Sequence, residues 1–391
     1  IDFNDTENYM WSTDITALPE QMGWWSEGED FNYTQIFNPQ PYGYEFYASR
    51  REWRVFSLLA PSQEFPVLDR QSHYDFTIVP DELVSVQDIM DIYSDHLEGT
   101  EYDMTEGLAA GPFGNPHRWQ VTGDQKPENA ADEDWEREIA QFRCTYSFVA
   151  ELRPDMPGEI GSVLWFGEDC PDTTVYTPIY AGTTAVPEEW SGGDRKSFDQ
   201  NCAWWAFNFI GNYAQLNWDA MYPVIREKKA EIEGEYFAEQ ADVDAQALEL
   251  YNTSGVDAAK EYLTDYVYTN LEELNDEWWA FAWQLVGTYY DGMRIEEDGS
   301  STTLGYPTEW LEEVGFGATS LADKGVSVET EEPEATDAPE TEPTQAPADT
   351  TPSEPDVNTT TSNSTALVIG SVCVIIVAIA AIIILQKKKK S

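Results

Sequence analysis

The sequence predicts an α+β fold, with strands mostly in the first half and helices mostly in the second. Two observations carry this. Residues 1 to about 200 alternate short strand-like runs with loops, and from about Phe198 onward the apolar pattern turns helical. The chain has 391 residues, with 15 Trp, 21 Tyr and 17 Phe, enough apolar area for a large core.

Taken in order, Arg54-Val-Phe-Ser-Leu-Leu reads as a first strand-like run. Ser85 followed by Asp88 reads as a capping box, opening a helix with Val86, Ile89, Tyr93 and Leu97 on one face and an end near Gly99. Gly107, Gly111, Gly114 and Pro116 then permit sharp backbone turns, so residues 98 to 119 are either a tight connection or a substrate loop ending in Asn115, His117 and Arg118. The segment CTYSFVAELRPDMPGEIGSVLWFGEDC reads as two strands around a Pro- and Gly-rich loop. Centring that loop on Pro157 sets Phe148 against Phe166, Ala150 against Leu164 and Cys144 against Cys170. A cross-strand disulfide between Cys144 and Cys170 follows as one expectation, and two reduced core cysteines as the other. TTVYTPIY, Thr173 to Tyr180, is a further strand-like run.

In the second half, CAWWAFNFIGNYAQLNW and DEWWAFAWQLVGTYY are apolar on nearly all sides and are expected to be buried centrally. Amphipathic segments such as VIREKKAEIEGEYF and AAKEYLTDYVYTNLEEL lie between them. Asn208, Asn212 and Gln215 share one helix face, so they form either a structural amide network or the lining of a peptide-binding cleft.

The ends differ from the middle. Residues 327–365 are rich in Pro, Thr and acids and read as a disordered stalk. Ala366 to Leu385 is an uncharged run of 20 residues followed by a lysine block, which predicts one transmembrane helix and a cytoplasmic tail at 386–391. The expected location is therefore the cell membrane, single-pass, with the N-terminal domain extracellular. A net charge of -52 excludes nucleic acid as a partner, because a polyanion is repelled by such a surface.

Motif inspection yields no further chemistry. His73, His96 and His117 lack helical His-x-x-x-His spacing and the cysteines are unpaired in sequence, so no metal is expected, and no cofactor. Neither a Gly-x-Ser-x-Gly elbow nor a phosphate-binding glycine loop is present. Cys202 opens an apolar helix without a nearby His and is an unattractive nucleophile.

Four blocks in order carry a resemblance: RREWRVFSLLAPS from Arg50, residues 98 to 119, GSVLWFGEDCPDTTVYTPIYAG from Gly161 and NCAWWAFNFIGNYAQL from Asn201. They closely resemble the bacterial dipeptidase A family of N-terminal-nucleophile (Ntn) cysteine hydrolases, over about residue 1 to Met293. The resemblance implies a four-layer αββα core with a helical extension, and hydrolysis of dipeptides by a cysteine exposed as first residue once a leader is removed. The α-amino group of such a cysteine can act as general base for its own thiol. Here residue 1 is Ile and no cysteine precedes Cys144. The nucleophile is thus expected outside this chain, the chain alone is expected to be inactive, and only the latter part of the core is expected within it. On this reading residues 1–200 belong to the αββα domain, 201–295 to its helical extension and 296–326 to an irregular tail.

Arg51-Glu-Trp-Arg54-Val is similar to the Arg-x-x-Arg-Val run of related Ntn acylases acting on bile salts and penicillin V, where the first Arg lies beside the nucleophile. Arg51 and Arg54 are accordingly the catalytic candidates, or else members of structural ion pairs. Asn115, His117, Arg118, Asn208 and Asn212 are the substrate-binding candidates. The rival reading is a non-catalytic cell-surface binding or adhesion protein that retains the Ntn fold.

Overall fold

The computed structural model describes residues 2–38, 46–70, 73–119, 136–194 and 196–316. The chain divides into two units, Ile1–Ser327 and Val328–Ser391, of which the second lies outside the described residues.

Four short helices precede the first sheet: α1 (Ala17–Met22), α2 (Tyr33–Phe37), α3 (Ser49–Leu59) and α4 (Val86–Tyr93). α3 corrects the expectation of a strand at Arg54 to Leu59. Arg50 and Arg54 stand four apart and reach Glu136 and Asp95 from one helix face, a spacing that a strand would not provide. α4 has the expected capping box: the Ser85 hydroxyl accepts from Asp88 N at 3.1 Å and the Asp88 carboxylate accepts from Ser85 N at 2.7 Å. This helix stops at Ser94, short of Leu97, whose left-handed φ of 68° turns the chain.

β1 (Tyr146–Leu152), a single helical turn α5 (Gly158–Gly161), β2 (Ser162–Glu168) and β3 (Thr177–Tyr180) build an antiparallel sheet in that strand order. The register pairs Phe148 with Phe166 and Ala150 with Leu164, as the hairpin pattern predicts. One face packs inward: Val149, Val163 and Trp165 are buried, and the Trp165 ring stacks on Phe237 at 4.1 Å. The opposite face holds Tyr146, Phe148 and Leu152 at 55, 45 and 73 % exposure.

The disulfide expectation is corrected. Cys144 and Cys170 are both free thiols. Strand pairing ends at Tyr146 opposite Glu168, and Asp169 then takes a left-handed φ of 62°. That turn carries Cys170 inward, where its thiol donates to Ala140 O at 3.4 Å.

α6 (Ala203–Ala214) buries Ala206, Phe207 and Ile210 against the sheet side of the core. α7 (Trp218–Ser254) and α8 (Val256–Thr288) form a long hairpin around Gly255, whose φ of 95° suits glycine. On α8, Ala259, Leu263, Val267, Leu271, Leu274, Trp278, Ala282 and Leu285 recur every three or four residues and are buried. Such a stripe requires a partner along its whole length, and α7 answers with Met221, Ile225, Ile232, Tyr236, Val243 and Ala247. β4 (Tyr289–Tyr290), β5 (Met293–Ile295) and β6 (Ser301–Thr303) form a small sheet, and of the tail expected to be irregular, 296–326, β6 and α9 (Thr308–Glu313) are regular.

The expected membrane location is also corrected. No helix among the described residues is long and apolar enough to cross a membrane. α7 and α8 have the length, at 37 and 33 residues, but acids recur along both. The predicted span from Ala366 to Leu385, the stalk and the lysine tail lie outside the described residues.

Candidate active site

A cavity of about 680 Å³ opens where the base of the β1–β2 hairpin meets the start of α6. Arg143, Cys144, Thr145, Glu168, Asp169, Asp194, Asn208 and Asn212 supply polar lining, and Trp204 and Trp205 much of the apolar wall. The size falls within the range of small-molecule pockets, roughly 300–1,000 Å³.

Asp169 is the centre of this geometry. Asp tolerates the left-handed region better than most residues, and here Asp169 N donates to Thr145 O at 2.9 Å to close the hairpin base. The turn brings the carboxylate to α6, where Asn208 Nδ2 donates to Asp169 Oδ1 at 3.1 Å. Gly211 lets the same turn pack closely on α6, because a Cβ there would stand 2.9 Å from Thr173 Oγ1. Burial, only partly offset by the Asn208 hydrogen bond, pushes the Asp169 carboxyl up to about 7. Burial and the adjacent Asp169 charge push Glu168 up to about 7 as well. Two carboxyls that exchange protons near neutrality therefore face one cavity.

A pH dependence of stability follows. Both carboxyls hold their protons more tightly in the folded chain than at their ordinary values near 4. The stability they contribute is present below those values and is lost as pH rises through about 7. Asp169→Asn is expected to flatten this loss between pH 4 and 8 and to gain on the order of 3 kcal/mol at pH 8. Urea unfolding across that range measures it, and an unchanged slope would count against the buried acid pair.

The sequence candidates separate in space. Asn208 and Asn212 line the cavity, Asn212 Nδ2 also donating to Asn208 O at 2.7 Å. Gln215, on the same helix face, accepts from Trp119 Nε1 at 3.2 Å. Arg51 Nε donates to Tyr47 O at 3.2 Å, and its charge favours the thiolate of Cys144. Arg54 is committed elsewhere, with Nε and Nη2 on Asp95 Oδ2 at 2.9 and 2.7 Å and Nη2 also on Glu98 O at 3.0 Å. Asn115, His117 and Arg118 do not reach the cavity. The Asn115 side chain accepts from His117 N, and the Arg118 guanidinium donates to Asn115 O and Met104 O at 2.6 and 2.5 Å, holding the glycine-rich segment in its turns. His117 is buried, with Nδ1 2.9 Å from Glu138 Oε1. Nearby, burial opposes a charged His96, but its bonds to Asp172 and Glu98 outweigh that and raise it to about 10.

Glu168 and Asp169 are the residues that sequence reasoning missed. Their signal was the acid pair ending an alternating strand in LWFGEDC.

None of the three described cysteines is activated. Burial and Asp169 push the Cys144 thiol up, burial and Asp172 push Cys170 well up, and burial pushes Cys202 up against the helix-start N–H groups of Trp205 and Trp204.

These features define a polar, acid-lined pocket on a mixed α+β fold. A family description, peptidase family C69, matches residues 1–231, and the chain belongs to that family of cysteine peptidases. Among curated proteins the chain is similar to dipeptidase A of Lactobacillus helveticus, 25 % identical over 280 residues that cover 70 % of this chain and 53 % of that one. It is likewise similar to a probable dipeptidase of Latilactobacillus sakei, 25 % identical over 52 % of this chain and 38 % of that one. A probable dipeptidase of Salmonella dublin is 24 % identical over 46 % of this chain and 37 % of its own length. The chain thus spans about half the length, or less, of the curated relatives it matches.

Proposed function

We propose that this chain forms the substrate-holding part of a dipeptidase whose nucleophile is an N-terminal cysteine outside residues 1–391. The observation that carries the reading is the cavity that sets three acids, Glu168, Asp169 and Asp194, and an arginine, Arg143, around one space. A dipeptide bears an ammonium at one end and a carboxylate at the other, so a small site with both signs of charge suits it. In this reading Asp169 and Glu168 hold the ammonium, Arg143 receives the carboxylate, and the Asn208 and Asn212 amides border the scissile bond. Arg51 supplies positive potential toward the nucleophile, as the resemblance of its Arg-x-x-Arg-Val run implies.

The nucleophile's own amine takes the thiol proton, the thiolate attacks the peptide carbonyl, and water releases the acyl group. The raised thiols of Cys144, Cys170 and Cys202 favour a nucleophile from another segment. The exposed apolar sheet face of Tyr146, Phe148 and Leu152 is, on the same reading, where the second sheet of a four-layer αββα core packs.

The test is chemical discrimination by the complete dipeptidase. Dipeptides with a free amino group are expected to exceed their N-acetylated forms in kcat/KM by about 10²–10³-fold, the equivalent of leaving a buried charge unpaired. Equal turnover of the two would remove the assignment of the acids.

A further inference from the structure

A second polar cluster lies beside the cavity, and the proposed peptidase chemistry does not use it. His117, Cys170 and Asp172 are all buried, and one ligand atom of each lies within 4.8 Å of the others. They come from the end of the glycine-rich segment and from the turn after β2, so no sequence spacing announces them. We propose that this cluster is a binding site for a divalent cation of the zinc class, held by His117 Nε2, Cys170 Sγ and the Asp172 carboxylate.

Three features of the geometry support it. His117 Nδ1 stands 2.9 Å from Glu138 Oε1, which commits that nitrogen to a carboxylate and leaves Nε2 available. A carboxylate behind a histidine in this way orients the ring of metal-binding histidines and raises their basicity. Nε2 then faces Asp172 Oδ2 at 3.4 Å. That is long for a hydrogen bond, whose usual length is about 2.9–3.0 Å. It matches the edge of a tetrahedron around zinc, about 3.3 Å for ligands at about 2.0–2.1 Å.

Unpartnered oxygens point the same way. Among the described residues Asp172 Oδ1 and Glu138 Oε2 are buried with no hydrogen-bond partner, in side chains with no solvent exposure. Buried carboxylate oxygens without partners are costly, and a cation taken by both oxygens of Asp172 would satisfy Oδ1 as well as Oδ2. The other oxygen of Asp172 is fixed by His96 Nε2 at 2.9 Å, so the carboxylate is already oriented. Around the cluster, the Trp218 ring meets both imidazoles edge to face, at 4.9 Å from His117 and 5.7 Å from His96, and Phe142 lies 5.6 Å from His117. This apolar shell limits water and strengthens charge interactions within it. The sulfur, nitrogen and oxygen donor set selects zinc over magnesium or calcium, which take oxygen ligands. Cys170 and Asp172 follow Asp169 on one turn, so a bound cation would brace the segment that aims Asp169 into the cavity.

The experiment uses the full chain stripped with chelator and titrated with Co²⁺ and then Zn²⁺. One equivalent of Co²⁺ is expected to produce a thiolate-to-cobalt charge-transfer band, which Zn²⁺ abolishes by displacement. Cys170→Ser is expected to lose the band, and Cys144→Ser and Cys202→Ser to keep it. Glu138→Gln is expected to weaken Zn²⁺ affinity by roughly 10–100-fold. X-ray absorption of the Zn²⁺-loaded wild-type chain needs no variant to fold, and is expected to show one sulfur at about 2.3 Å with lighter ligands at about 2.0–2.1 Å. A folded wild-type chain without the cobalt band, a band that survives Cys170→Ser, or a zinc shell without sulfur would overturn the site. These readouts are independent of peptidase activity, so the proposal stands or falls apart from the dipeptidase reading.

Discussion

Asp169→Asn in the complete dipeptidase is expected to lower kcat/KM for free dipeptides by about 10²–10³-fold, while N-acetylated dipeptides, already poor, change little. Asparagine is the informative replacement because it keeps the size of the side chain and tolerates the left-handed backbone at this position. What it removes is the charge. On the proposed reading an incoming ammonium meets a carboxyl that burial has pushed up to about 7. Substrate binding should therefore strengthen as pH rises through 7 in the wild type, and that rise should shrink in the variant. KM measured from pH 5 to 8 for both proteins decides it. An unchanged ratio between free and acetylated substrates in Asp169→Asn would show that the acid serves only the fold.

Arg54→Leu is expected to destabilise the chain by about 3–5 kcal/mol, the cost of breaking a buried ion pair from one side. The resemblance offered Arg54 as a catalytic candidate, but its guanidinium is spent on Asp95 and on the Glu98 carbonyl. Removing it leaves Asp95 buried with only the Leu97 N–H, at 2.8 Å, and whatever water can enter. The paired change Arg54→Leu with Asp95→Leu should recover much of the loss, since two apolar groups do not leave a charge behind. Urea midpoints measure both variants. A stability loss below about 1 kcal/mol, with turnover nonetheless abolished, would return Arg54 to the catalytic list.

These two residues also show how far the sequence could be read. Local chemistry was legible. The Ser85–Asp88 box, the pairing of Phe148 with Phe166 and the start of α6 after Cys202 are set by neighbours within one element or one hairpin, and the structure has them. The run at Arg54 to Leu59 was misread because its local apolar pattern fits a strand, whereas pairing of Arg50 and Arg54 with distant acids holds it as a helix. Extending the hairpin register to Cys144 and Cys170 failed for a related reason. One left-handed residue, Asp169, ends the ladder, and nothing in the alternation of apolar residues reports a φ of 62°. That Asn208 and Asn212 share one cavity wall was legible because helical spacing puts them on one face. The acid pair was not, since Glu168 and Asp169 acquire their raised values through burial, with neighbouring carboxylates adding to it, and neither is visible in a local pattern. His117 illustrates the opposite error, where a residue prominent in a loop motif is sequestered by Glu138, far along the chain.

In the proposed function, peptide cleavage depends on a thiol outside residues 1–391. Its most direct test is to treat the complete enzyme with a dipeptide-like, thiol-directed electrophile and to locate the adduct by peptide mass mapping. The account predicts stoichiometric inactivation with the label on an N-terminal cysteine, and Cys144, Cys170 and Cys202 unmodified. Inactivation that tracks with labelling of any of those three would contradict it.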